Sequence, residues 1–294
     1  SRFTPAGKLI DRTDAAPATP RVFTYEYDTS GNMTRAASGA ESYALTYDED
    51  NRTASIAYAN GPATTTIENR YDGLGRRVAR KLGNVETHYV LDLLGDMERI
   101  LCETDDFGTL NAWFVHGPDL SFKIAANGDM TCYHADAMGN IIRTTDSTGA
   151  TINQYAYTPY GRRIATSGPV PTTANPQPYT FVGSQGAMEE LPGLYFMRAR
   201  YYSADAAVFL STDPVKKIGP KWQPMEFSYA DTNPLRFQDP DGRIVTAIFY
   251  FGGAVVGIGK EVIRDLGPQA LESWGVRSEL AKRATDAIGD LLEV

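Results

Sequence analysis

The residues with the clearest chemical potential lie in a block from 181 to 243. It contains two Asp-Pro steps, at Asp213 and Asp239, and an Arg-Ala-Arg-Tyr-Tyr run that begins at Arg198. A proline restricts the residue before it to extended conformations, so each aspartate presents its carboxylate in a fixed orientation. The composition changes sharply after Arg243, where an uncharged stretch begins. A boundary marked by two such aspartates and an arginine indicates a processing site.

Each Asp-Pro step also has a plain structural interpretation, in which it ends a strand at a turn. In that interpretation Arg200 is an ordinary surface residue. We favour the processing site because the aspartates and the arginine occur together, directly before the change in composition.

The bulk composition is that of a soluble globular protein, with 42% hydrophobic and 22% charged residues among 294. Tyrosine is abundant, at 17 residues against 12 phenylalanines, and together with threonine and glycine it favours strands and turns over helices. A net charge of −8 argues against nucleic acid or an anionic membrane as a partner of the whole chain.

Thiol and imidazole groups offer a second, weaker chemistry. Cys132 and His134 would share one face of a strand, and Cys102 and His116 are the groups that could join them. Without a Cys-x-x-Cys pair, we expect free thiols, no metal site and no cofactor. The acidic pair at Asp105 is expected to be a solvated turn rather than a calcium site.

A repeated Tyr-Asp pattern precedes the 181–243 block. Tyr27-Asp28, Tyr47-Asp48 and Tyr71-Asp72 recur every 20 to 24 residues, each followed by glycine, asparagine or arginine. Alternating aromatics place one face of a strand on a core, and aspartate followed by glycine makes a tight turn. Each unit is therefore predicted to be a β-hairpin that needs its neighbours for stability. The tyrosines are expected to pack in the core, with stacking on sugars as the alternative.

This pattern resembles the YD repeats of the Rhs family, which also occur in Tc toxin C subunits and teneurins. The block at 181–243 is similar to the Rhs-associated core, and the resemblance covers roughly 21–243. It implies an all-β fold, a coiled sheet of hairpins forming all or part of a hollow shell, closed by the core and followed by a partly helical tail. The predicted domains are an N-terminal arm at 1–20, a repeat shell at 21–180, the core at 181–243 and a C-terminal toxin segment at 244–294.

In that family the core is an intramolecular aspartyl protease that cuts after the motif Pro-x4-Asp-Pro-x-Gly-Leu. This chain matches the motif at Pro234, Asp239, Pro240 and Gly242, and has Arg243 where leucine is usual.

The resemblance assigns roles to individual residues. Asp213 and Asp239 would share a proton, one as base on water and one as acid. Arg200 would keep one carboxylate ionised or polarise the scissile carbonyl. The predicted scissile bond is Arg243–Ile244, cut once per molecule because the substrate is the enzyme's own chain.

The resemblance implies a toxin delivery module that encloses the segment 244–294, cuts it free and holds it without a covalent bond. Further partners would be secretion machinery or an upstream shell, and an immunity protein. The protein would be made in the bacterial cytoplasm and exported or secreted. No Sec-type signal is visible, because the N-terminus has no apolar h-region. The alternative is an adhesion or carbohydrate-binding β-repeat module that does not cut itself, and a third possibility is a structural scaffold.

The predicted tail begins with 16 uncharged residues, too few to span a bilayer as a helix. Gly253 and Gly257 suit close helix packing, and an amphipathic helical pattern starts at Pro268. We interpret the tail as the start of a toxin, with a small membrane-active effector as the alternative.

Overall fold

The computed structural model describes most of the chain up to Arg243. The described residues are 2–4, 8–14, 21–94, 97–168, 177–215 and 226–243, with the backbone of two further strands at 246–251 and 254–259. The strands are β1 Arg2–Phe3, β2 Leu9–Asp14, β3 Arg21–Tyr27, β4 Met33–Ser38, β5 Glu41–Tyr47, β6 Thr53–Asn60, β7 Ala63–Tyr71, β8 Arg77–Leu82, β9 Val85–Asp92, β10 Arg99–Thr104, β11 Leu110–His116, β12 Leu120–Ala125, β13 Met130–Ala135, β14 Ile141–Thr145, β15 Thr151–Tyr157, β16 Arg163–Ser167, β17 Met188–Leu191, β18 Leu194–Met197, β19 Arg200–Ser203, β20 Val208–Phe209, β21 Phe237–Gln238, β22 Thr246–Phe251 and β23 Ala254–Gly259.

These strands form three antiparallel sheets. β1 to β16 make one sheet in strict chain order, β17 to β20 a second, and β21 to β23 a third. Two short 3₁₀ segments, Gly183–Gln185 and Ala230–Thr232, complete the regular structure of the described residues. The all-β prediction is confirmed. Within the part of the chain that the structure describes, no helix is long and apolar enough to cross a membrane.

The turns between strands follow the aspartate chemistry that the sequence predicts. At Asp72, the backbone N–H groups of Leu74 and Arg76 donate to carboxylate Oδ1 at 2.9 and 3.0 Å. Gly75 completes the turn with φ 80°, a conformation that costs glycine little. The same pair of hydrogen bonds to the second and fourth following residues occurs at Asp48, Asp105, Asp136 and Asp146.

Tyrosines at the ends of strands connect neighbouring turns. The Tyr157 hydroxyl at the end of β15 donates to the carbonyl of Ile141, the first residue of β14, at 2.7 Å. The same bond joins the pairs Tyr27–Leu9, Tyr47–Met33 and Tyr71–Thr53 at 3.0, 2.9 and 2.9 Å. A phenylalanine would fill the same space but could not donate, so the hydroxyl groups of these four tyrosines have a specific structural role.

The second sheet has one face on the large sheet and the other on the loops around 227–239. Along β18, Leu194 and Phe196 join the large core cluster that includes Ile56 and Ile67 of the first sheet. Their neighbour Tyr195 joins the opposite cluster with Phe209, Tyr229 and Phe237. This alternation is the period of two expected of a strand buried on both faces.

Two segments differ from the sequence expectation. The predicted arm at 1–20 contributes β1 and β2 to the large sheet, because Leu9 is buried in a cluster with Val208 and Phe227. The apolar start of the tail forms the β22–β23 hairpin, paired with β21, and not a helix.

The interpretation of helix packing through Gly257 was therefore wrong. A short apolar run cannot be assigned by periodicity alone, and its aromatic and β-branched residues favour a strand. Gly253 and the helical pattern from Pro268 lie outside the described residues.

Two tyrosines on β15 allow the hydroxyl bond to be tested. Tyr157→Phe removes the bond to the Ile141 carbonyl, and we expect it to lower the free energy of unfolding by about 1 kcal/mol. Tyr155→Phe is the matched control, because the Tyr155 hydroxyl is buried without a hydrogen-bond partner among the described residues. It should be neutral or stabilising. Urea denaturation of both variants measures the difference, and equal values would contradict the assigned role.

Candidate functional site

One guanidinium brings the two predicted aspartates together. Nη2 of Arg200 lies 2.9 Å from Oδ2 of Asp213 and 3.0 Å from Oδ2 of Asp239. The Nε of Arg200 donates to the Gly242 carbonyl at 2.5 Å. Residues distant in sequence thus meet around a single side chain, next to the predicted cleavage motif.

Strand β19 positions Arg200, whose side chain lies on the same face as that of Tyr202. Arg200 is 1% exposed, and its guanidinium carbon lies 3.6 Å from the centre of the Phe209 ring. Its Nη1 donates to the Glu226 carbonyl at 3.1 Å. Both charge and donors are therefore matched, as a buried arginine requires.

The two carboxylates have different surroundings. Oδ1 of Asp213 accepts a hydrogen bond from the N–H of Val215 at 2.8 Å. The backbone N–H of Asp213 donates to the Glu226 carbonyl. Burial raises the pKa of Asp239 to about 8, although Arg200 opposes this shift. The neighbouring Asp241 and Asp213 raise it further, since like charges disfavour ionisation. At neutral pH the pair can therefore hold one proton, which is the state that acid–base chemistry by two aspartates requires.

Three successive carbonyls of the loop after Asp239 are held by three successive residues of the β18–β19 hairpin. Arg198 Nη1 donates to the carbonyl of residue 240 at 2.8 Å, and the Ala199 N–H donates to that of residue 241 at 3.1 Å. Arg200 donates to the third, on Gly242. The loop is fixed through its backbone, so its position does not depend on side-chain pockets.

Arg198 is a site residue to which the sequence analysis assigned no role. Its guanidinium is buried and hydrogen-bonds to the backbone carbonyls of residues 98, 185 and 240, with a longer ion pair from Nε to Oε1 of Glu98 at 3.7 Å. Nothing local in the sequence marks these partners. The available signal was the Arg-x-Arg spacing, which places both arginines at the start of one strand.

The other motif residues shape the loop. Pro234 is buried in the turn before β21, and Pro240 is buried behind Asp239. Gly242 has φ 66°, and a Cβ there would lie 2.6 Å from the Met197 carbonyl oxygen. The N–H of Arg243 donates to Oδ1 of Asp239 at 3.0 Å, while its side chain is exposed. Ile244, on the far side of the predicted scissile bond, lies outside the described residues.

The alternative site residues are not brought together. Cys102 and Cys132 are free and lie three strands apart on β10 and β13, about 14 Å at ordinary strand spacing. His116 binds the Ile100 carbonyl instead, and the described residues contain no cluster of His, Cys, Asp or Glu that could hold a metal ion.

The repeat tyrosines belong to the core, as predicted. Those packed against the large cluster include Tyr25, Tyr27, Tyr43, Tyr47, Tyr58, Tyr71 and Tyr157. Asp105 is a turn residue that accepts the N–H groups of Phe107 and Thr109.

Comparison with known proteins finds toxins among the proteins similar to this chain. No family model matches the chain. It is 32% identical over 233 residues to the tRNA3(Ser)-specific nuclease WapA of Bacillus spizizenii, covering 78% of this chain and 9% of that protein. It is 25% identical over 249 residues to the double-stranded DNA deaminase toxin A of Burkholderia cenocepacia, covering 74% and 17%.

The fold is similar to that in the crystal structure of TcdB2-TccC3-Cdc42, with a TM-score of 0.51 at 18% identity, covering 79% of this chain and 14% of that one. This likeness concerns the fold alone. The chain spans less than a fifth of the length of the relatives it matches.

Gly242 offers a test of the loop geometry. Gly242→Ala should lower the free energy of unfolding by about 1–3 kcal/mol more than the control Gly61→Ala, because only position 242 meets backbone atoms. Gly61 has nearly the same φ, 63°, and open space around a Cβ, so it carries the same backbone strain without the clash. Urea denaturation checks this, and equal costs would argue against a tightly held loop.

Proposed function

We propose that this chain is a toxin delivery module of the Rhs type that cuts its own polypeptide between Arg243 and Ile244. The observation that carries the proposal is the single buried guanidinium of Arg200, which binds Asp213, Asp239 and the Gly242 carbonyl next to that bond.

The proposed reaction is a hydrolysis that needs no cofactor. Asp213, paired with Arg200, takes a proton from a water molecule, and the hydroxide attacks the carbonyl carbon of Arg243. The C–N bond to Ile244 breaks, and the protonated Asp239 gives its proton to the leaving amine. Arg200 stabilises the negative charge that develops on the attacked carbonyl. Because both groups and the bond belong to one chain, the effective concentration is high and one turnover completes the function.

The relatives support a carrier role. Two proteins that share about three quarters of this chain are named for different targets, tRNA in one and double-stranded DNA in the other. A segment common to both is therefore a poor candidate for the part that selects the target. It is a better candidate for the part that delivers and releases a variable toxin.

Enclosure of the released segment 244–294 and its retention after cleavage belong to the same proposal. So do a toxin partner subunit or upstream shell, an immunity protein, and export from the bacterial cytoplasm. The carbohydrate-binding alternative loses its main support, because the repeat tyrosines are used in the core.

Self-cleavage is tested with isosteric variants. The wild-type chain should yield a fragment that begins at Ile244, whereas Asp213→Asn and Asp239→Asn should stay intact or cut at least about 100-fold more slowly. Asp146→Asn is the control, a turn aspartate of the large sheet whose capping oxygen asparagine retains. Intact-mass spectrometry measures all four. A wild-type chain that folds and remains whole would refute the proposal.

The pH dependence tests the roles of the aspartates. Because the pKa of Asp239 is raised to about 8, its acid form is present below that value and lost above it. We expect the cleavage rate to fall about tenfold per pH unit above 8. Refolding from urea at pH 6 to 10 starts the reaction, with intrinsic fluorescence as the control for folding. A rate that keeps rising above pH 9 would contradict Asp239 as the acid.

A further inference from the structure

The hairpin turn between β18 and β19 has a backbone conformation that its sequence does not favour. Arg198 has φ 51°, in the left-handed region, within a two-residue turn that joins Met197 and Arg200. Glycine or asparagine usually occupies such positions. Strain of this kind is kept where the surrounding structure enforces it, often at a functional site.

A glycine elsewhere in the core makes room for this arginine. Gly186 has φ 96°, and a Cβ at that position would lie 2.7 Å from Nη2 of Arg198. The Arg198 guanidinium is thereby able to reach the Gln185 carbonyl at 2.8 Å and the Glu98 carbonyl at 2.9 Å. Two anchor points outside the cleavage loop therefore fix the guanidinium before it contacts the loop.

The loop contact is sequential and uses only backbone atoms. Residues 198, 199 and 200 donate to the carbonyls of residues 240, 241 and 242 in the same order. A slip of the loop by one residue would misplace all three hydrogen bonds, and would also move Gly242 away from the Met197 carbonyl, where only glycine fits. The arrangement therefore distinguishes one register of the loop from its neighbours.

We propose that Arg198 is the positioning residue that sets the register of cleavage, by holding the loop 240–242 through its carbonyls so that a single peptide bond meets the two carboxylates. This rests on the proposed self-cleavage. The choice of the peptide bond that is cut then depends on backbone geometry and on Gly242. We call the hydrogen bonds from residues 198–200 to the carbonyls of 240–242 the clamp. The side chain at 243 is exposed and takes no part in it. This explains how arginine can stand where the family motif has leucine.

The first experiment measures where and how fast the chain is cut. Arg198→Ala should slow cleavage by about 100-fold, since a misplacement of about 1 Å costs that much, and should give fragments that begin at residues adjacent to Ile244 as well as at Ile244. Arg198→Lys keeps the charge but not the fork of donors, and should show the same loss of register to a smaller extent. Arg236→Ala, an exposed arginine near the site, is the control and should match wild type. A single fragment at Ile244, formed at the wild-type rate in Arg198→Ala, would overturn the proposal.

The second experiment does not require self-cleavage. In the Asp213→Asn chain, limited trypsin treatment reports how firmly the loop holds the bond after Arg243. Adding Arg198→Ala should speed tryptic cutting there about tenfold or more, because released backbone is cut faster, whereas adding Arg236→Ala should not. If the wild-type chain never cuts itself but the tryptic difference is found, the proposed function fails and the clamp stands. If Arg198→Ala does not fold, Arg198→Lys decides both measurements, and an unchanged tryptic rate in it overturns the clamp.

Discussion

The buried guanidinium of Arg200 is the interaction on which the core depends. A single positive charge, 1% exposed, lies against two carboxylates that are almost as buried. Removing the arginine from such a group leaves buried carboxylate charge uncompensated, so the three residues form one unit. The number of charges in this group also determines its protonation. One cation cannot balance two anions in a medium of low dielectric constant, and a retained proton on Asp239 resolves the excess.

The large sheet holds that unit in place through polar contacts between the sheets. Arg77 and Arg80 of β8 both bind Glu190 of β17 at 2.7 Å. Met33 and Ile141 are the first residues of two strands of the large sheet. Their N–H groups donate to the backbone carbonyls of Leu210 and Thr180. Apolar burial between sheets is non-directional, whereas these bonds fix one placement. The second sheet therefore has a defined position on the large sheet. Arg200 lies on β19 of the second sheet, so its position is defined as well.

Local chemistry explains which parts of this structure were predictable. Aspartate turns and alternating aromatics act within a few residues, so Asp72 and its equivalents predict hairpins correctly. The meeting of Asp213 and Asp239 was predictable only by resemblance, because nothing local brings them together. Arg198 was missed because its hydrogen bonds go to backbone carbonyls, which every residue possesses. The β22–β23 hairpin was missed because periodicity alone does not distinguish a strand from a helix in a short apolar run.

Recognition through the backbone suits the proposed self-cleavage, in which the substrate is the enzyme's own chain. A protease that acts on many partners needs side-chain pockets to choose among them, and each pocket constrains the sequence that it cuts. In the proposed reaction the covalent connection already selects the substrate, and only the register of the loop remains to be set. Three carbonyl contacts and one glycine set it without restricting the side chain at 243. Whatever follows residue 243 is then free to vary while the cutting geometry stays the same.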